Sequence, residues 1–122
     1  MKMTPEPYDL IWQRFKMNNA ELYRLLDEDR WEAAIPLLES LAASGDSCAQ
    51  TILGTCYWLE LGVLRNPAEA IRLLRNAAAA GSALAAHNLA TFHICGDADL
   101  SPDPAEAKRF RELALLLGSP HV

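Results

Sequence analysis

The stretch from Asn66 to Gly81, NPAEAIRLLRNAAAAG, sets apolar side chains at Ala70, Ile71, Leu73, Leu74, Ala77 and Ala78 and polar ones at Glu69, Arg72, Arg75 and Asn76. Apolar positions three and four apart predict an amphipathic helix, and the closing glycine supplies its stop. A looser copy precedes it, RWEAAIPLLESLAASG, and another follows, DPAEAKRFRELALLLG. With Gly45 set on Gly81, a shift of 36 places Ala34 on Ala70, Ile35 on Ile71, Leu38 on Leu74, Ala42 on Ala78, Ala49 on Ala85 and Leu53 on Leu89. The last copy needs a shift of 37, which sets Pro67 on Pro104, Ala70 on Ala107 and Gly81 on Gly118. The extra residue falls between Leu89 and Pro104, in the polar stretch GDADLSPD. Register kept over two periods marks a helical repeat.

Each unit reads as two helices. The first spans about 47–61 and recurs at about 82–95; the second spans about 67–80, with relatives at 31–44 and 104–117. Ser47 and Ser82 are the expected N-caps, because a hydroxyl can accept from the unpaired amides of a first turn. Pro67 and Pro104 suit a first helical position, where a missing N–H costs nothing. Gly45, Gly81 and Gly118 follow apolar runs, as left-handed C-terminal caps do. A β-branched residue at Gly81 is expected to cost on the order of 1 kcal/mol or more. Ahead of the repeats, 18–46 reads as a shorter helix pair with a tight turn at Asp27–Arg30. Pro5–Lys16 reads as a capping helix with Leu10, Ile11 and Phe15 in one apolar stripe. Trp12 and Trp31 are expected to pack at the cap and at the first turn, and Pro120 to stop the last helix.

Hydrophobic residues make up 51% of the 122, mostly Ala and Leu. That composition suits close-packed helices in one domain over 1–122 rather than sheets. The net charge of -5 argues against nucleic acid, whose phosphates need clustered Lys and Arg. Residues 1–47 hold nine acids against five bases and the remainder seven against six, so a basic partner would favour the N-terminal third, although an acidic helix face is more often simply solvated. The start, MKMTPEPYDLIW, has prolines and acids where a signal peptide carries an apolar stretch, and no apolar run reaches the length of a membrane span. Together with an odd number of cysteines (Cys48, Cys56 and Cys95), this predicts a cytoplasmic protein with free thiols and no membrane contact.

The stretch AQTILGTCYWLELGVLRNPAEAIRLLRNAAAAG resembles a Sel1-like repeat, a relative of the tetratricopeptide repeat. Its signature falls on Ala49, Leu53-Gly54, Tyr57, Gly62, Ala68-Glu69-Ala70, Ala77-Ala78 and Gly81 without a gap. Over 85–118 the resemblance is looser, with Ala90 in place of the helix-packing glycine and His93 in place of the tyrosine. Glu60 stands where the family commonly has a turn glycine, so Gly62 is expected to end that helix instead. The resemblance implies an all-α, right-handed α–α solenoid. Two Sel1-like repeats (47–81 and 82–118) would follow a tetratricopeptide-like pair (18–46) and an N-terminal cap (1–17).

The resemblance also implies a protein-binding role, as adaptor, scaffold or regulator. In bacteria, stand-alone members also act as immunity proteins against secreted toxins. In stacked helix pairs the first helix of each unit lines the concave side. At 100° per residue, Thr51, Thr55 and Trp58 lie opposite the inward face of their helix, and His87, Thr91 and Ile94 match them one repeat on. These six are the candidate contacts for one protein partner. Trp58 has two readings, a binding anchor or a cover for the neighbouring helix. In the apolar turn LELGVL, Leu61 and Val63 are expected to tuck under the next helix. A thiol or metal enzyme built on Cys56, His87 and Cys95 is the competing class. No Cys-x-x-Cys or His-Glu-x-x-His spacing supports it, and neither a cofactor nor a metal is expected. His93 is expected to pack, and self-association through an exposed end helix is the remaining expectation.

Overall fold

A computed structural model describes residues 8–96 and 101–118. Seven helices follow one another along them: α1 (Tyr8–Asn18), α2 (Ala20–Asp27), α3 (Trp31–Ala43), α4 (Ser47–Leu59), α5 (Pro67–Ala79), α6 (Ala83–Cys95) and α7 (Pro104–Leu116). Neighbours in sequence pack as neighbours in space, most extensively α4 on α5 and α6 on α7, and no strand occurs among the described residues. The fold is therefore an all-α stack of helix pairs. Pro5 and Pro120, named above at the two ends, and residues 97–100 of the GDADLSPD insertion lie outside the described residues.

Side-chain caps set the starts. Asn66 and Asp103 accept from the amides of Glu69 and Glu106 at 3.2 and 3.1 Å, with Pro67 and Pro104 next in line. Ser82 accepts from Ala85 N at 3.1 Å. Ser47 does not cap α4. Asp46 takes that place, its carboxylate accepting from Ala49 N at 2.9 Å, and Ser47 becomes the first helical residue. A carboxylate one residue earlier is the stronger acceptor for a positive helix end.

Left-handed residues set the stops. Gly45, Gly81 and Gly118 have φ of +95°, +100° and +85°. After α3 and α5 the next amide reaches back to Leu41 O at 3.1 Å and Ala77 O at 2.9 Å, satisfying carbonyls the helix leaves open. Asp29 and Glu60 do the same with side chains attached, at φ +55° and +59°, and the Arg30 and Leu61 amides donate back to Leu25 O and Cys56 O. Glu60, not Gly62, thus terminates α4. Gly62 is required for another reason: at φ +77° a Cβ there would stand 2.7 Å from the Trp31 carbonyl carbon and 2.8 Å from Glu32 N. The LELGVL turn therefore lies back against the start of α3, and Leu61 and Val63 pack on the first core cluster.

That cluster gathers Phe15, Leu22, Leu25, Ile35, Leu38, Leu53 and Leu73; a second gathers Leu74, Ala77, Ala86, Leu89, Phe110 and Ala114. The adjacent residues Leu73 and Leu74 belong to different clusters, so α5 is the wall the two share. Helices α4 and α5 approach closely because Gly54 has no side chain, and a Cβ there would meet Leu74 Cγ at 2.8 Å and Ala70 O at 3.2 Å. On α1 the apolar stripe is Ile11, Trp12 and Phe15 rather than Leu10, which is exposed. Trp12 meets Phe15 edge-on at 5.9 Å, a favoured arrangement for two rings.

Candidate functional site

Helices α4 and α6, the first members of the two repeats, are joined at three levels. At their N-terminal ends the Thr51 and Ser82 hydroxyls share a hydrogen bond of 2.8 Å. One turn further, Asn88 Nδ2 donates to Thr55 Oγ1 at 3.2 Å. At their C-terminal ends Trp58 stacks on Phe92, with centroids 4.0 Å apart and planes 4° from parallel. Arg65 completes this last level. Its guanidinium lies 5.0 Å from the Trp58 ring centroid and its Nε donates to Trp58 O at 3.0 Å.

These contacts redistribute the six residues expected on the open face. Thr51 is 1% exposed and leaves the set, because its hydroxyl is held between Ser47 O and Ser82 Oγ. Thr55 and Trp58 are half-buried, both engaged with α6, and His87 is half-buried as well. Thr91 is exposed, its hydroxyl donating to His87 O at 3.2 Å, and Ile94 is 49% exposed. The side chains that α4 and α6 leave in the open are thus the half-covered aromatic pair between them and, elsewhere on the two helices, the exposed Ile94, Thr91 and Leu59. Sequence reasoning missed Phe92, Asn88 and Arg65. Phe92 falls 36 after Cys56, a core position, and nothing in that register announces a ring turned toward the preceding repeat.

The residues of the competing chemistry stand apart. Cys56 is buried on α4 and its thiol is pushed up to about 11 by burial; Cys95 is exposed at the end of α6. Among the described residues no three His, Cys, Asp or Glu side chains stand close enough to hold a metal ion. His93 is buried and lies parallel to the Phe110 ring, 5.8 Å away, with neither ring nitrogen hydrogen-bonded among the described residues. Burial, and then the nearby Arg75 guanidinium, lower its pKa from the ordinary histidine value. It fills the place that Tyr57 holds one repeat earlier. Both residues close their repeat with the same backbone bond, Asn66 N to Tyr57 O at 2.9 Å and Asp103 N to His93 O at 2.7 Å.

A stack of helix pairs whose first helices offer an aromatic and aliphatic surface defines the α-solenoid class of binding scaffolds. The chain belongs to the Sel1 repeat family, whose model matches residues 49–82 and 83–119. Members of this family generally act as protein–protein interaction modules and are typically non-catalytic. The crystal structure of a Sel1 repeat protein from Oxalobacter formigenes superposes with a TM-score of 0.70 at 27% identity, over 78% of this chain and 39% of that one. The chain therefore spans well under half the length of that protein. No curated protein matches it. Among the described residues no helix is long and apolar enough to cross a membrane.

Proposed function

We propose that this protein is a non-catalytic module that binds one cytoplasmic protein partner, as adaptor or inhibitor, through the surface of α4 and α6. Thr55, Trp58, His87, Thr91 and Ile94 are the contact residues. The observation that carries the reading is a rigid Trp58–Phe92 stack joining two helices that also leave large aliphatic side chains, Ile94 and Leu59, in the open. An aromatic centre already ordered within the fold loses little side-chain freedom on binding. In this arrangement the exposed Thr91 and Ile94 make the new contacts, and the stack holds the two helices in a fixed relation. An immunity protein neutralising a bacterial toxin is the narrower form of the same reading and uses the same surface.

Affinity capture from the native lysate, with wild type beside Ile94→Asp and Thr91→Arg, tests it. Both substitutions lie on exposed side chains, so helical content should stay unchanged. A stoichiometric protein captured by wild type and lost from both variants supports the reading. Capture undiminished in both folded variants overturns it and directs attention to the acidic N-terminal third.

A further inference from the structure

Three rows of residues occupy equivalent places on the second helices of the three pairs. On α3 the row is Ile35, Leu38 and Ala42, and on α5 it is Ile71, Leu74 and Ala78. On α3 all three are buried, and α4 of the following pair packs on that helix. On α5, Leu74 and Ala78 are buried and Ile71 packs against the same core cluster, with α6 on that helix. On α7 the same places hold Lys108, Arg111 and Leu115. Both cations are exposed, and Leu115 and its neighbour Leu116 are 56% and 77% exposed. A second row on α7, Ala107, Phe110 and Ala114, is buried, as its counterparts Ala70, Leu73 and Ala77 on α5 are. Only the first row has changed chemistry. A row that is apolar and covered on α3 and α5 is exposed on α7 and cationic with an apolar end.

At the other end of the stack, α2 is the first-type helix that no second-type helix precedes among the described residues, and α1 packs on it only lightly. Its open stripe carries Glu21 and Glu28, two turns apart and exposed, with Arg24 between them bonded to both. Beside this stripe lies a notch of about 540 Å³ formed with the end of α1, where Met17 is 80% exposed. Acidic groups with an apolar neighbour thus stand on α2, and basic groups with an apolar neighbour on the exposed row of α7.

We infer that copies of this chain associate head to tail, α7 of one copy receiving α2 of the next as α3 receives α4. Lys108 and Arg111 meet Glu21 and Glu28, while Leu115 and Leu116 reach the notch at Met17. Such an interface is heterologous and does not close, so assembly grows with concentration instead of stopping at a dimer. Because exposed charges carry its selectivity, it weakens as salt rises.

Sedimentation of the full chain over a range of concentrations tests this, at ~0.01 M salt and at ~1 M salt, where the screening length falls from about 30 Å to about 3 Å. The expected result is a mass that climbs with concentration at low salt and returns to that of one chain at high salt. Lys108→Glu with Arg111→Glu should give a monomer, and so should Glu21→Lys with Glu28→Lys. Mixing the two folded variants should restore association between them, a rescue that damage to either fold would not produce. A wild-type chain monomeric throughout overturns the inference, as would happen if an acidic helix of another protein were the true occupant. Association that persists in both reversed variants, or that survives high salt unchanged, overturns it equally.

Discussion

Trp58 lies flat on Phe92, 4.0 Å between centroids, and so ties α4 to α6 across the repeat boundary. The side chain that the sequence leaves open between a binding anchor and a cover for the neighbouring helix is half of an internal stack. Trp58→Ala should accordingly lower stability by about 2 kcal/mol, less than for a fully buried tryptophan because the ring is half-exposed. Ile94→Asp should change it by less than about 0.5 kcal/mol, since its side chain stands largely in water. Urea denaturation of the two variants separates a structural role from a recognition role. Equal losses would mean that Ile94 is part of the packing.

His93 makes stability depend on pH. Burial lowers its folded-state pKa below the unfolded value, with the Arg75 charge adding to this; Glu106 and Asp103 act in the opposite direction, and Arg109 opposes them weakly. The unfolded chain therefore binds the proton more readily. Its contribution to stability is complete above the ordinary histidine pKa and is lost as pH falls through that value toward the folded one. Below the folded value the loss levels off. His93→Phe keeps a ring against Phe110 and removes the titration. Its unfolding midpoint should fall less than that of wild type between pH 7.5 and pH 5, roughly the window on either side of a histidine's ordinary ~6.5.

The two glycines Gly62 and Gly81 share a positive φ but not a neighbourhood. Nothing lies within 4 Å of a Cβ built at Gly81, so Gly81→Ala meets only the backbone penalty, about 1 kcal/mol. At Gly62 the added carbon would press on the backbone of Trp31 and Glu32, which cannot swing aside as a side chain can. Gly62→Ala should cost at least about twice as much. Thermal or urea unfolding of both variants ranks them, and equal costs would show that the turn yields freely.

Thiol reactivity should single out one cysteine. Burial pushes Cys48 up to about 12 and Cys56 up to about 11, whereas Cys95 is exposed. Since the thiolate is the nucleophile, iodoacetamide near pH 8 should modify Cys95 alone in the folded protein and all three thiols after denaturation. Peptide mass spectrometry reads the outcome. Rapid native labelling of Cys56 would contradict the packing of α4 described above.

Periodic apolar residues, prolines at first positions and glycines after apolar runs are local signals. They place α3, α4, α5, α6 and α7 because each depends on neighbours within a turn or two along the chain. The same locality explains the small errors. Asp46 and Ser47 are both good caps, and only the path of the chain out of Gly45 decides between them. Glu60 adopts a conformation that favours glycine because Leu61 N must reach Cys56 O while Gly62 presses on α3. That constraint comes from a helix almost thirty residues earlier.

The surface residues were the least legible part. A helical wheel puts Thr51, Thr55 and Trp58 on one side of α4, but it says nothing of what α6 brings to that side. The sequence alone determined the repeat, its pairing of helices and the family, because these rest on spacing. Only the tertiary structure decided that Thr51 turns to Ser82, that Asn88 reaches Thr55 and that Phe92 covers Trp58. Each of those contacts joins residues more than thirty positions apart, and the angle and distance at which two helices cross are set by the packed core beneath them.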